Sequence, residues 1–128
     1  MTAPARYQDA LHPYTPVRRA GDLLFVSGQL GIDSRGQLLG NIEDETRRAL
    51  DNLRKALEQQ GALLIDIVKI GVFLHSMADR NSFDAVYTEY FPGPQRPART
   101  CVAVGELPFG ARVEIEAVAH APVTGRGA

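Results

Sequence analysis

Arg99, Glu114 and Glu116 are the residues of this chain whose types and setting could do chemistry. Arg99 opens a run of small and β-branched residues, Thr100-Cys101-Val102-Ala103-Val104, in which alternate side chains turn inward or towards a neighbouring subunit. A guanidinium there needs an anion, because burying an unpaired charge is costly. Two partners would serve. One is a protein carboxylate, which makes a structural ion pair, and the other is the carboxylate of a small substrate, gripped by two parallel hydrogen bonds from the planar fork. In an extended strand Arg99, Cys101 and Ala103 share one face, and Thr100, Val102 and Val104 share the other. Arg112, Glu114, Glu116 and Val118 likewise oppose Val113, Ile115, Ala117 and Ala119, the pattern of a strand with one face in a core. Glutamates on such a strand ordinarily face water, so solvation and chemistry both remain open for Glu114 and Glu116.

Several elements must hold these groups. His12-Pro13-Tyr14-Thr15-Pro16-Val17 is a stiff extended segment, since each proline fixes its own φ and biases its predecessor away from helix. It presents Tyr14 either as a cover for a sheet edge or as a site group. After a turn at Gly21-Asp22, Leu23-Leu24-Phe25-Val26 is an apolar run short enough for a buried strand, ending at Ser27-Gly28-Gln29, where a glycine permits close approach of another group. Asp33 to Gln37 forms a surface turn. Asn41, with Asp44 three residues on, caps an amphipathic helix that buries Ile42, Thr46, Ala49, Leu50, Leu53, Ala56 and Leu57 and ends at Gly61. Its other face, carrying Glu45, Arg47, Arg48, Asp51, Arg54, Lys55 and Glu58, mixes both signs and reads as solvated. Asp66 to Leu74 is a central strand with His75 at its end. A second helix over Asn81 to Phe91 puts Phe83, Val86, Tyr87, Tyr90 and Phe91 in the core, and Pro92-Gly93-Pro94 stops it.

The resulting order is α+β, with two helices on one face of a sheet and no cover for the other face in this chain. At 128 residues the chain forms one domain, with residues 1–10 a flexible lead-in and 121–128 a mobile tail. A net charge of -1 removes any general attraction to nucleic acid or anionic membrane. No apolar stretch nears the ~20 residues of a membrane span. The start lacks a signal-peptide pattern, and the single cysteine allows no intrachain disulfide. The expected location is the cytoplasm. His12, His75 and His120 are scattered and no Cys-x-x-Cys occurs, so no metal site is expected. Phosphate-loop, dinucleotide and serine-hydrolase motifs are absent. Cys101 has no histidine base in its local sequence and reads as a small buried hydrophobe.

Pro97-Ala98-Arg99-Thr100-Cys101-Val102, then Leu107-Pro108-Phe109-Gly110, then Val113-Glu114-Ile115-Glu116-Ala117, resemble in order and spacing the signature of the RidA family, also called YjgF/YER057c/UK114 or endoribonuclease L-PSP. The likeness extends over residues 12 to 119. It implies the Bacillus chorismate mutase-like fold, with a mixed six-stranded sheet, two helices on one face, and a homotrimer with ligand sites between subunits. It also implies that the final strand inserts between earlier strands, whereas a simple hairpin of the last two strands would set Arg99 opposite Glu114.

The implied activity is cofactor-free hydrolytic deamination of 2-imino acids such as 2-iminopropanoate and 2-iminobutanoate to 2-keto acids and ammonia. Arg99 would clamp the substrate carboxylate and Glu114 would orient or deprotonate the water. Tyr14, Ser27, Gly28 and Cys101 would shape the pocket. His12, Pro16 and Asp84 depart from the residues usual in the family; Asp84 stands where asparagine is common, and a carboxylate there would repel an anionic substrate unless protonated or paired. Two other classes compete with the deaminase: a trimer that binds small carboxylates without turnover, and an endoribonuclease or translation inhibitor.

Overall fold

Apolar alternation in Val113–His120 and the apolar runs of Leu23–Leu30 and Ile67–Leu74 drive these three segments together as the middle of a sheet. The computed structural model describes residues 13–123. In chain order the elements are β1 (Val17–Ala20), β2 (Leu23–Leu30), α1 (Ile42–Glu58), β3 (Ile67–Leu74), α2 (Arg80–Tyr90), β4 (Ala98–Ala103) and β5 (Val113–His120), with short 3-10 turns at Leu64–Asp66, Met77–Asp79 and Pro108–Gly110. The spatial order is β1-β2-β5-β3-β4. Only β3 and β4 run parallel, joined through α2 as a crossover.

The described residues hold five strands, one fewer than the six expected. Pro16 has no N–H to give a ladder, so pairing begins only at Val17. The segment after β2 makes a single isolated bridge, Ile32 to Leu38. Between them Asp33 Oδ1 accepts from the backbone N–H groups of Arg35 and Gln37, and Gly36 takes the left-handed φ of 80° that closes the turn. His12, the lead-in 1–10 and most of the tail lie outside the described residues.

The insertion of β5 removes the hairpin alternative. Arg99 pairs with Ile70, while Glu114 pairs with Phe73 on one side and Leu30 on the other. The expectation of a strand ending at Ser27-Gly28-Gln29 is corrected by one residue, for β2 passes through an irregularity there and continues to Leu30.

One layer of core lies between the sheet and the helices. Leu50, Leu53 and Leu57 of α1 and Phe83, Val86 and Tyr87 of α2 meet Leu24, Val26, Ile70, Val72, Leu74, Val113 and Ile115. Each large side chain so buried contributes about 1.5–3 kcal/mol. The capping box read from the sequence is present, with Asp44 N–H donating to Asn41 Oδ1 (2.9 Å) and Asn41 N–H to Asp44 Oδ2 (3.3 Å). Among the described residues no element lies on the opposite face of the sheet, and Phe25 and Val102 are exposed.

Glu45 was assigned to the solvated face of the first helix and is instead fully buried. Its carboxylate accepts from Arg112 Nε (2.7 Å), Arg112 N (2.7 Å) and Val113 N (3.3 Å), while Arg112 Nη2 donates to the carbonyl of Gly40 (2.7 Å). Sequence periodicity missed it because the partner lies 67 residues away. The close approach of α1 to β2 here requires Gly31, where a methyl group would overlap the backbone of Glu45. This ion pair pins the first residue of β5 to α1 and so fixes the register in which Glu114 follows. Removing the carboxylate would leave Arg112 and two backbone donors without their acceptor. Glu45→Ala is expected to lose about 3–5 kcal/mol of unfolding free energy in urea titrations, and Glu45→Gln, which keeps the shape and one acceptor, clearly less.

Candidate functional site

Strand parity divides the candidate residues between the two faces of the sheet. Arg99 and Cys101 pair with Ile70 and Val72, whose side chains are buried under the helices, so both turn towards α2. Arg99 Nη1 lies 2.7 Å from Asp84 Oδ1, and its guanidinium stacks over the rings of Tyr87 (4.7 Å) and Phe83 (5.6 Å). The anion required by the buried guanidinium is therefore Asp84, a helix residue one turn beyond Arg80, and neither Glu114 nor Glu116. Burial works against the charge of Arg99, but contact with Asp84 outweighs it and raises the pKa above the ordinary arginine value. The rings assigned to the core are core residues and also the platform for this cation.

Cys101 is half-buried beside Arg99. Burial pushes its thiol pKa up, more than the neighbouring positive charge brings it down. A protonated thiol with no base beside it is a poor nucleophile.

The second group surrounds an irregularity in β2. Val26 pairs with Ala117 and Gln29 with Ile115, so three steps on β2 match two on β5, and the extra residue falls at Ser27-Gly28. The bulge is tied to the proline segment. Ser27 N–H donates to the carbonyl of Pro16 (2.9 Å) and Ser27 Oγ to that of Thr15 (2.7 Å), which brings the stretch carrying Tyr14 alongside. Tyr14 itself is half exposed. Glu114 reaches across from β5 over Gly28, where any Cβ would collide with Glu114 Oε2. Here glycine leaves room for the close approach of the Glu114 carboxylate, as its place after Ser27 suggested. Glu116 lies further along the same face, over Gly71, and is exposed.

Partial burial pushes the Glu114 carboxyl pKa up, and repulsion from Glu116 adds to this. A shallow depression of about 300 Å³ on this face is lined by Thr15, Arg18, Phe25, Ser27, Lys69 and Glu116 among others. No described element covers it, and neither Arg99 nor Glu114 lines it. Among the described residues no three His, Cys, Asp or Glu side chains are grouped to hold a metal.

One chain thus brings Ser27, Gly28 and Glu114 together on the open face, with Tyr14 nearby, and Arg99, Cys101 and Asp84 together under α2. It does not bring the two groups to one another. The Arg99–Asp84 pair was not foreseen, although Arg80 and Asp84 at i, i+4 signal that this helix face handles charge.

The raised pKa of Glu114 has a consequence for stability. The folded state favours its protonated form, so the stabilisation is complete below the ordinary glutamate value and is lost as pH rises through the raised one. At neutral pH the ionised group is a net cost. Glu114→Gln is expected to raise the melting temperature at pH 7, with the gain shrinking as pH falls towards 4; thermal scans across that range would show a flat difference if burial of Glu114 were immaterial.

Comparison with known proteins gives the family. The family description Endoribonuclease L-PSP matches residues 4–121. The 2-iminobutanoate/2-iminopropanoate deaminase of Dermatophagoides farinae is 37% identical over 108 residues, covering 83% of this chain and 84% of that protein. The 3-aminoacrylate deaminase RutC of Acinetobacter baylyi is 38% identical over 112 residues, covering 86% and 88%. A solved Thermotoga maritima structure is 45% identical and superposes with a TM-score of 0.82 over 87% of this chain and 88% of its own. With a match over nearly its whole length and the strand motifs in place, the chain belongs to the endoribonuclease L-PSP family, the RidA family.

Proposed function

We propose that the protein hydrolyses small 2-imino acids to 2-keto acids and ammonia at a site completed between copies of the chain. The observation that carries this reading is the division just described: Arg99 and Glu114 leave opposite faces of one sheet, so only a second copy can set the carboxylate clamp of one chain against the carboxylate base of another. The uncovered sheet face, with Phe25 and Val102 exposed, supports assembly as a homotrimer. Two relatives named for deaminating small acids with an imino or enamine nitrogen support the substrate class.

The chemistry needs no cofactor. Arg99 holds the carboxylate and fixes the position of the C=N carbon. Glu114, whose raised pKa places it nearer neutrality than an ordinary glutamate, takes a proton from water as the oxygen adds to that carbon. Glu114 returns that proton to the nitrogen, giving the carbinolamine, then takes the hydroxyl proton as the C=O bond forms and passes it to the departing nitrogen, so that the C–N bond breaks and ammonia leaves with the keto acid behind. Ser27, the backbone at Gly28, Tyr14 and the strand at Cys101 bound the pocket. The net charge of -1 gives no support to a ribonuclease reading, which would require phosphate-binding cations in excess.

Light scattering at micromolar concentration should give three times the 13.9 kDa chain mass, and a monomer at every concentration would undo the shared site. On the assembled protein, imine decay would be followed with an amino-acid oxidase supplying substrate. Arg99→Ala is expected to lose on the order of a hundredfold in rate while still assembling, and Arg99→Lys to recover little, because a point charge lacks the fork. An Arg99→Ala trimer that turns over 2-iminopropanoate at the wild-type rate would remove the assignment.

A further inference from the structure

The contact between Arg99 and Asp84 is not required by the reaction proposed above, and at first sight it opposes it. A carboxylate 2.7 Å from Nη1 occupies part of the fork that a substrate carboxylate would use. Oδ1 is buried against Arg99 and is committed to that ion pair. The hydrogen-bonding capacity of Oδ2 is nevertheless unspent. Oδ2 lies 3.7 Å from Arg80 Nε, beyond hydrogen-bond reach. The side chain is 35% exposed although Oδ1 is covered. Arg80, Asp84 and Arg99 together carry one net positive charge, so an incoming carboxylate is still attracted to the cluster while an anionic acceptor stands beside its anchor.

We propose that Asp84 is a specificity-determining residue that makes this a site for zwitterions, with the ligand carboxylate on Arg99 and an N–H-bearing cationic nitrogen on Asp84. The inference rests on the imine reading of the same site and narrows its substrate to the imine protonated on nitrogen. The reaction is then R–C(=NH2+)–COO− + H2O → R–CO–COO− + NH4+. It removes the group that Asp84 holds. The keto acid offers only oxygen acceptors, which meet the Asp84 carboxylate with repulsion and no hydrogen bond, so the site discriminates substrate from product and clears after each turnover. Asparagine at this position would keep the shape and lose the discrimination.

The test titrates the assembled wild-type protein, Asp84→Asn and Arg99→Ala with two stable ligands of one carbon skeleton, 2-aminobutanoate and 2-oxobutanoate, by calorimetry. Wild type should bind the amino acid about tenfold more tightly than the keto acid, the worth of one charge-assisted hydrogen bond. Asp84→Asn should tighten the keto acid, weaken the amino acid and bring their ratio to about one. A residue that only positions Arg99 would move both affinities by the same factor, and that result overturns the proposal. So does equal affinity of wild type for the two ligands, a measurement that decides the matter even where Asp84→Asn does not assemble. Arg99→Ala should abolish binding of both. If it left both unchanged, the carboxylate anchor itself would be wrong, and the imine reading would fall together with this inference.

Discussion

The position of β5 between β2 and β3 is the constraint on which the rest depends. A central strand with helices on one face must place its apolar side chains there, and Val113, Ile115, Ala117 and Ala119 do so. Glu114 and Glu116 are then obliged to stand on the other face. A slip of one residue would bury both acids under α1 and α2. The buried Glu45 prevents it by accepting from the backbone N–H groups of Arg112 and Val113 at the entry to β5.

Two kinds of buried charge serve different ends. Glu45 has its donors well aligned, is closed from solvent, and holds elements together. The Arg99–Asp84 pair is partly exposed, its second carboxylate oxygen is 3.7 Å from Arg80 Nε and makes no hydrogen bond, and its cation leans on aromatic rings that also fill the core. Full satisfaction marks the first as structural, whereas unspent capacity marks the second as a place where another molecule gains by arriving. Glu114 belongs with the second kind, since a half-buried carboxylate next to another acid is held in an environment that disfavours its charge.

The bulge at Ser27-Gly28 joins local irregularity to chemistry. One extra residue in β2 bends the strand and leaves room for the Glu114 side chain, while Ser27 binds the proline segment through its hydroxyl and its backbone. The sheet beyond the bulge stays regular because Asn52 of α1 donates to the carbonyls of Leu30 and Ile32, where β2 runs out.

Periods of two and of 3.6, caps and breakers are local properties, and they were enough to place both helices, the strands from Leu23 onward, the capping box at Asn41 and Asp44 and the stop at Pro92-Gly93-Pro94. Motif order along the chain was enough for the family. Parity within single strands already set Arg99 with Cys101, and Glu114 with Glu116. What periodicity does not carry is which strand lies beside which, and hence whether two parities share a face. Tertiary structure alone decided that Arg99 turns to α2 and Glu114 away from it, that Asp84 answers the guanidinium, and that Glu45 is buried. Each of these is a contact between residues at least 15 apart in the chain, whose cost or gain arises only after the sheet has closed around them.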